Sequence, residues 1–480
     1  MTLGLSDGAR RHIRATTTLE RALTLDETAV QNLAAAMRGP LIQPDDPTYD
    51  GACAVYNAMI EKHPALIAQC TDVADVIAAV NFARDNNLLV AIRGGGHNGP
   101  GLGTCDDGLV IDLRAMNGVH VDPEARTARV EGGALLGDLH HATNAFGLGT
   151  PSGIISTTGV GGITLGGGVG HLTRQFGLAI DNLLEADVVL ADGSFVTASE
   201  TQHPELFWAL RGGGGNFGVV TSFLFQLHPI PNLYAGPMLW PLERSAEVLR
   251  WYRDFITQAP DDLNGFFAFI TVPAVAPFPE ELWNQKVCGV VWAYTGDTPD
   301  EVFAPIRAQF GPPALDWVGP ISHPALNSMF DGIYPAGDQW YWKADFVTEI
   351  PDEAVDIHVQ YAAQLPTGKS TMHLYPIDGV AGRVAKDATP WNYRDAKWAM
   401  VMVGVSPDPA DNEHMIEWTR EYWSALHPYS AGGAYINMMM EEGQDRVRAS
   451  YGQHYDRLAQ IKRTYDPDNL FRVNQNITPA

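Results

Sequence analysis

The segment Leu88-Leu-Val-Ala-Ile-Arg-Gly-Gly-Gly-His-Asn98 carries the strongest structural signal in this chain. Its apolar first half is typical of a buried strand, and the run then breaks into three glycines followed by His97 and Asn98. Consecutive glycines leave backbone N–H groups bare at the end of a strand, where they can hold an anionic group such as a pyrophosphate. The segment therefore predicts a nucleotide site.

Two common nucleotide-binding folds are disfavoured by what surrounds the glycines. Residues 94–99 match the spacing of the dinucleotide fingerprint, but that fingerprint needs a helix directly after its glycines, and the glycine-rich residues 100–108 cannot form one. Residues 213–218 match it too, yet they lead from a helical pattern into a strand pattern, which is the reverse order. Gly368-Lys-Ser370 would end a P-loop, but Ala363 stands where the first glycine is needed. We therefore disfavour a Rossmann dehydrogenase and reject a nucleoside triphosphatase.

Composition and charge indicate a globular protein with a small-molecule partner. The 480 residues suffice for two substantial domains, and 45% hydrophobic residues can fill a large core. A formal net charge of −25 without a basic cluster repels nucleic acid and anionic membrane surfaces, so neither is an expected partner. The four cysteines are widely spaced and form no CxxC pair, so neither a metal site nor a disulfide framework is expected.

Neither a membrane anchor nor an export signal is expected from the sequence. An apolar run of about eighteen residues, the length that spans a bilayer, does not occur. Arg10-Arg11 resembles a twin-arginine signal, but the residues after it are interrupted by charge and lack an apolar core. We expect a cytoplasmic protein, and the sequence leaves its oligomeric state open.

The periodicity of the chain predicts an α+β fold. Residues 65–68 and 88–92 read as strands, and Asp72 caps a helix between them, which makes a β-α-β unit. Further strands are predicted at residues 109–113, 127–131 and 187–191. From residue 229 a middle region rich in tryptophan and proline begins, and its alternating segments predict an antiparallel sheet that helices cover on one face.

Four ordered blocks of the chain resemble the signature of a known family. They resemble the FAD-linked oxidases of the vanillyl-alcohol-oxidase superfamily, in the branch of berberine-bridge-like enzymes and hydroxynicotine oxidases. The resemblance covers nearly the whole chain and is weakest between about residues 229 and 430. The blocks are Arg93-Gly-Gly-Gly-His-Asn98, Gly159-Val-Gly-Gly-Ile-Thr-Leu-Gly-Gly-Gly-Val-Gly170, Gly212-Gly-Gly-Gly-Asn-Phe-Gly-Val-Val220 and Tyr465-Asp-Pro-Asp-Asn-Leu-Phe-Arg-Val-Asn-Gln-Asn-Ile477.

The resemblance implies a domain organisation and a cofactor. It implies a two-lobed FAD-binding domain over residues 1–228, a substrate-binding domain over 229–431 whose sheet roofs the flavin, and a return to the FAD-binding domain over 432–480. It also implies that His97 is joined covalently to the 8α-methyl group of FAD. Many relatives add a second bond from a cysteine, but Ile155 stands at that position, so a single histidyl bond is expected.

Further contacts to FAD follow from the same resemblance. Thr158 occupies the position near the face where oxygen approaches the flavin, and its small side chain should leave access. The backbone of residues 93–98 should hold the pyrophosphate, and Val220 should lie near the nucleotide end. The complete set of expected FAD-binding residues is Arg93, Gly94, Gly95, Gly96, His97, Asn98, Thr158, Gly159, Gly161, Gly162, Ile163, Val220, Tyr435 and Asn437.

The catalytic base departs from the family pattern. Relatives that oxidise alcohols often carry Tyr-x-Asn-Tyr, whose second tyrosine is the base, but this chain has Tyr435-Ile-Asn437-Met438. Because methionine cannot accept a proton, another group must serve. Tyr375 stands where relatives have a second active-site tyrosine and is the best replacement, and Tyr435 is the next candidate.

Three classes of function follow. The leading one is an oxidase that transfers a hydride from an alcohol, a sugar or an amine to flavin N5, with reoxidation by O2 to give H2O2. Loss of the usual base makes an amine competitive, since a neutral amine offers its own lone pair. The second class is a flavin-dependent dehydrogenase or oxidative cyclase of natural-product biosynthesis that uses another acceptor. The third, a non-enzymatic flavin-binding protein, is the weakest.

Overall fold

The computed structural model of the protein describes residues 13–18 and 22–480. Arg10 and Arg11, the pair considered as an export signal, lie outside these residues. Among the helices of the described ranges, none is long and apolar enough to cross a membrane.

A four-stranded sheet, counted over the described chain, positions the nucleotide-binding segment. The predicted β-α-β unit is confirmed, because strand Leu66–Gln69 leads into helix Val73–Asp85 and then into strand Val90–Arg93. Strand Leu109–Asp112 lies between the two strands and pairs with both in parallel, while Leu41–Ile42 forms the far edge. The glycines after Arg93 therefore emerge at the edge where the parallel strands end.

The second lobe is built on an antiparallel sheet of five strands within the described residues. The strand predicted at 127–131 is confirmed, whereas the one predicted at 187–191 begins four residues earlier and ends at Val189. In spatial order the strands are Phe195–Ser199, Leu183–Val189, Val219–Gln226, Thr127–Glu131 and Val119–Asp122.

The middle region forms the predicted antiparallel sheet, with eight strands in the part of the chain that the structure describes. Helices Ser245–Ile256, Pro299–Gln309, Asp352–Ala362 and Asn412–Leu426 contribute to a core with one face of this sheet. The opposite face shares a core with the five-stranded lobe. The strands, in spatial order, are Leu315–Asp316, Tyr234–Pro241, Lys286–Tyr294, Leu263–Thr271, Thr371–Pro376, Trp398–Ser406 and Gln339–Val347, with Gly319–Pro320 also pairing with Tyr234–Pro241. The domain limits at 228/229 and 431/432 stay predictions.

The remaining elements connect these three sheets. Two short antiparallel pairs join Ile13–Thr16 to Ala22–Leu25 and Leu148–Gly149 to His228–Pro229. The other α-helices are Glu27–Ala36, Tyr49–Cys53, Leu136–Asn144, Val160–Gly166, Thr173–Phe176, Pro204–Leu210, His323–Asn327, Val380–Arg383, Gln444–Tyr451 and Tyr455–Tyr465.

A buried lysine ties the C-terminal segment to the glycine-rich lobe. Lys462 and Asp466 are both fully buried, and their Nζ and Oδ2 atoms lie 2.6 Å apart. The same Nζ donates to the backbone carbonyls of Asn216, at 2.6 Å, and of Phe471, at 2.9 Å. Residues near the end of the chain are thus bound to the glycine loop at 212–218.

We predict that Lys462→Met lowers the free energy of unfolding by about 3–5 kcal/mol, because it leaves the Asp466 carboxylate buried without its cation. Urea denaturation followed by circular dichroism measures this change. Arg463→Met at the next, exposed position should change stability by less than about 1 kcal/mol. Equal stability of the two variants would contradict this role of Lys462.

Candidate active site

A cavity of about 730 Å³ lies between the lobes of the first half of the chain and the large sheet. One side, which we call the glycine wall, is made by backbone segments at residues 94–98, 158–163 and 214–216. The opposite side, which we call the strand face, belongs to the large sheet. Its lining residues include Phe266, Ala268, His373, Tyr375, Val401 and Val403.

The glycine wall depends on a close backbone approach between Gly95 and Gly159. A Cβ atom added to Gly159 would lie 2.2 Å from the Gly95 nitrogen, and one added to Gly95 would lie 2.3 Å from the Gly159 nitrogen. Only glycine therefore fits at either position without moving the backbone. This contact brings the loop after strand Val90–Arg93 against the start of helix Val160–Gly166.

The third segment of the wall is held in place by Asn216. Its buried side-chain amide donates to the carbonyls of Gly213, at 2.8 Å, and Gln475, at 3.2 Å, and its Oδ1 accepts from Ile477 N at 2.9 Å. Gly214 has a φ of +71°, which favours glycine. The predicted third and fourth sequence blocks thus meet in one place.

The wall offers the room that a flavin nucleotide requires. Cβ atoms added at Gly162 or Gly215 would meet no atom within 4 Å, so both glycines face open space. The side-chain oxygen of Asn474, another lining residue, is buried without a hydrogen-bond partner in the described chain. These features fit FAD, which would place its polar groups against backbone amides and side-chain amides.

The structure brings almost all predicted site residues to this cavity. Their contact with FAD or substrate stays a prediction. The predicted residues that line the cavity are Gly94, Gly95, Gly96, His97, Asn98, Thr158, Gly159, Gly161, Gly162, Ile163, Val220, Tyr375, Tyr435 and Asn437.

Arg93 is the exception among the expected FAD-binding residues. Its side chain is buried away from the lining, and Nη2 donates to Asp112 Oδ2 at 2.9 Å. Arg114 also binds Asp112, with Nη2 and Oδ2 2.7 Å apart. The Arg93 side chain therefore joins the ends of two neighbouring strands.

His97 is oriented by an aromatic ring and a hydroxyl group. Its imidazole stacks on Tyr56, with ring centroids 3.8 Å apart and planes inclined by 19°. Nε2 lies 3.0 Å from Thr157 Oγ1, which leaves Nδ1 as the ring nitrogen for a bond to the cofactor. Burial lowers the pKa of His97 to about 4, so the ring is neutral and nucleophilic at neutral pH.

On the strand face, His373 and Tyr375 form a hydrogen-bonded pair. They lie two residues apart on strand Thr371–Pro376 and therefore point to the same side of the sheet. His373 Nδ1 and Tyr375 Oη are 2.6 Å apart. Burial lowers the pKa of His373 to about 3 and raises the pKa of Tyr375, so the neutral imidazole accepts a hydrogen bond from the protonated phenol.

The sequence analysis missed His373, although a signal for it was present. Its spacing of two from Tyr375 within a strand pattern would have placed both side chains on one face. Phe266 on the neighbouring strand packs against both rings, with centroid distances of 5.2 Å to His373 and 5.1 Å to Tyr375. The pair thus packs against an aromatic ring in the lining of the cavity.

Tyr435, the second candidate base, is bound to the glycine wall. Its hydroxyl oxygen accepts hydrogen bonds from Gly168 N, at 2.9 Å, and from Asn437 Nδ2, at 2.8 Å. Burial raises the pKa of Tyr435 to about 12. Met438, at the position of the usual base, also lines the cavity. The two hydrogen bonds tie Tyr435 to the glycine wall, and they act against burial by lowering its pKa.

Comparison with known proteins agrees with this geometry. Residues 64–199 match the family described as FAD binding domain, and residues 434–478 match the family described as berberine and berberine like. The chain is 34% identical over 457 residues to (R)-6-hydroxynicotine oxidase of Paenarthrobacter nicotinovorans, covering 92% of this chain and 97% of the relative. It is 32% identical over 464 residues to xylooligosaccharide oxidase of Thermothelomyces thermophilus, covering 88% and 89%.

A solved structure confirms the fold class. The crystal structure of 6-hydroxy-D-nicotine oxidase from Arthrobacter nicotinovorans superimposes with a TM-score of 0.83 and 29% sequence identity, covering 92% of this chain and 98% of that one. The mixed α+β architecture predicted from the sequence is therefore correct.

We predict that Gly162→Leu gives a folded protein with at least about 10-fold less bound flavin, because the new side chain occupies the open space of the wall. The ratio of flavin to protein absorbance measures the loss, and circular dichroism checks the fold. Gly51→Leu is the matched control, since Gly51 also has an open Cβ position but lies outside the cavity lining. Full flavin content in Gly162→Leu would place the cofactor elsewhere.

Proposed function

We propose an oxidase activity for this chain. It belongs to the FAD-linked oxidases of the vanillyl-alcohol-oxidase superfamily, in their berberine-bridge-enzyme-like branch, and is an FAD-dependent oxidoreductase. Its substrate is a small organic alcohol or amine, and its products include H2O2. The observation that carries this proposal is the His373–Tyr375 pair, which faces the same cavity as the glycine wall.

FAD is attached through His97 in this proposal. The neutral imidazole and the free Nδ1 atom support a bond to the cofactor's 8α-methyl group. Ile155, whose aliphatic side chain lines the cavity, cannot supply a second, thioether bond. We therefore assign one covalent attachment.

When bound, FAD supplies a two-electron acceptor that takes a hydride from the substrate and passes the electrons to O2. Thr158 supports O2 as the final electron acceptor, because its small side chain leaves room on the glycine wall. A dehydrogenase or cyclase that uses another acceptor has no specific observation in its favour. The remaining task for the protein is to handle one proton.

Tyr375 and His373 handle that proton. When an alcohol loses hydride from its carbon, the hydroxyl proton is left on the developing carbonyl group and must leave. Tyr375 Oη takes this proton while its own proton moves to His373 Nδ1, so a neutral carbonyl product and an imidazolium result. A protonated carbonyl is a far stronger acid than imidazolium, and the transfer is therefore favourable despite the low pKa of His373.

An amine substrate makes a weaker demand on the pair. A neutral amine donates its own lone pair as the hydride leaves, so no base is needed at that moment. Tyr375 then serves by accepting a hydrogen bond from the amine N–H, which orients the reacting carbon. Both substrate types therefore contact Tyr375.

For the covalent bond, we predict that acid-denatured wild-type protein stays yellow and that His97→Ala releases its flavin completely. The visible spectrum of the polypeptide and the mass of the peptide containing His97 provide the measurement. His141→Ala, at an exposed position outside the cavity lining, should keep the bound flavin. Free flavin from the wild type would overturn the covalent attachment and leave the oxidoreductase in place.

For the proton transfer, we predict that Tyr375→Phe lowers kcat by about 100-fold or more with little change in KM, the effect of losing a general base. Tyr435→Phe should lower kcat less, because Tyr435 mainly fixes the wall. Peroxide release on an alcohol that the wild type oxidises provides the measurement. The reverse order of the two variants would assign the base to Tyr435.

The pH profile supplies a second readout for the same pair. An ordinary histidine with a pKa of 6.5 would become charged as the pH falls to 5, and a base that relies on it would lose activity. Because the pKa of His373 is lowered to about 3, its imidazole stays neutral over this range. Wild-type kcat/KM should therefore not fall as the pH drops through 6.5. A fall near pH 6.5 that disappears in His373→Gln would contradict this expectation.

A further inference from the structure

We infer that the substrate is an uncharged, flat ring compound with one oxidisable polar group, which enters across an apolar lip and points that group at His373 and Tyr375. The inference rests on the proposed function and narrows its substrate class. The lip is defined by Val275, Pro277, Phe278 and Trp317, all of which line the cavity.

The lip exposes large apolar side chains at the cavity mouth. Val275 is 53% exposed and Trp317 is 37% exposed, and the rings of Phe278 and Trp317 lie 4.9 Å apart. The loop that carries Val275 and Phe278 is ordered by the hydrogen bonds between Val272 and residues 284–285 at its base. A cluster of exposed apolar groups beside a cavity marks a place where an apolar ligand passes.

Behind the lip, the cavity is lined by packed aromatic rings. Tyr334 and Trp340 have centroids 5.5 Å apart, and Trp340 and Trp342 have centroids 6.0 Å apart. Phe266 and Phe330 lie 6.2 Å apart and lead to the His373–Tyr375 pair. Such aromatic side chains can pack edge-to-face or offset-stacked against a flat ring of a ligand.

Ionised side chains are missing from this lining. Among the residues of the described chain that line the cavity, none is Asp, Glu, Lys or Arg. Lys369, next to the lining residue Gly368, pairs instead with Asp338, with Nζ and Oδ2 2.6 Å apart. A carboxylate or ammonium group on the substrate would therefore be buried without a partner, which costs binding free energy.

The strand face also offers few polar groups for the many hydroxyls of a sugar. Each buried hydroxyl of a sugar needs a hydrogen-bond partner, because an unpaired hydroxyl weakens binding by the free energy of its desolvation. Thr371 Oγ1 already donates to the carbonyl of Phe269 at 2.8 Å. Besides His373 and Tyr375, the polar atoms of this face include Thr271 Oγ1 and the indole nitrogens of Trp340 and Trp342, which have no hydrogen-bond partner within the described chain. They are fewer than the hydroxyls of a disaccharide, so the face suits a substrate with few polar groups.

The test compares three probes by calorimetric titration at pH 7. The flavin of the purified protein is first reduced under anaerobic conditions, so that no bound probe can transfer a hydride to it. The probes are 2-naphthol, 6-hydroxy-2-naphthoate, which adds a carboxylate to the same ring, and the disaccharide cellobiose. We expect 2-naphthol to bind at least about 10-fold more tightly than the other two. Equal or tighter binding of the carboxylate or of cellobiose would overturn the inference.

Met329→Lys tests whether the missing charge sets this preference. Met329 is a half-buried lining residue, and lysine is also an unbranched side chain. The measured quantity is the ratio of the Kd of 6-hydroxy-2-naphthoate to the Kd of 2-naphthol. This ratio should be at least about 5-fold lower in the variant than in the wild type. Met329→Gln, with no charge, and Leu184→Lys, outside the lining, should leave the ratio unchanged. An unchanged ratio in Met329→Lys would contradict the account.

These titrations separate the inference from the proposed function. Binding is read without turnover, so a protein that discriminates among the probes but releases no peroxide would refute the oxidase and keep the substrate class. Peroxide release from cellobiose would instead refute the substrate class and keep the oxidase. The visible spectrum, recorded before any probe is added, shows whether flavin is present.

Discussion

The close approach of the Gly95 and Gly159 backbones is the constraint on which the site depends. With Cβ positions only 2.2–2.3 Å from the opposing nitrogens, neither residue can carry a side chain. The contact fixes His97, two residues after Gly95, and Thr158, directly before Gly159, on the same wall. The residues proposed for covalent attachment and for oxygen access thus lie on neighbouring parts of one backbone contact.

The apolar cavity determines the protonation states of the polar residues on the strand face. Burial keeps the imidazole of His373 neutral and the phenol of Tyr375 protonated, so the pair rests without charge. The same low polarity penalises a charged ligand. The proposed proton-transfer pair and the proposed uncharged substrate therefore depend on the same apolar environment.

Much of this arrangement could be predicted from the sequence, and the failures have physical reasons. Glycine blocks and alternating strands are local signals, so the wall and the antiparallel sheet were predictable. The sequence does not reveal that the Arg93 side chain binds Asp112, because Asp112 lies on a strand whose pairing the sequence does not show. The expected contact of the Arg93 backbone with the cofactor stays a prediction. The spacing of two could have placed His373 on the same face as Tyr375, but their hydrogen bond and the burial of the imidazole are visible only in the folded sheet.

A crystal structure of the purified yellow protein with 2-naphthol bound would test whether flavin and substrate share the cavity between the glycine wall and the strand face. The account predicts flavin along the glycine wall, joined to His97, and the naphthol ring between the flavin and Phe266, with its hydroxyl within hydrogen-bond distance of Tyr375. Flavin bound elsewhere, or a naphthol hydroxyl directed away from Tyr375 and His373, would contradict it.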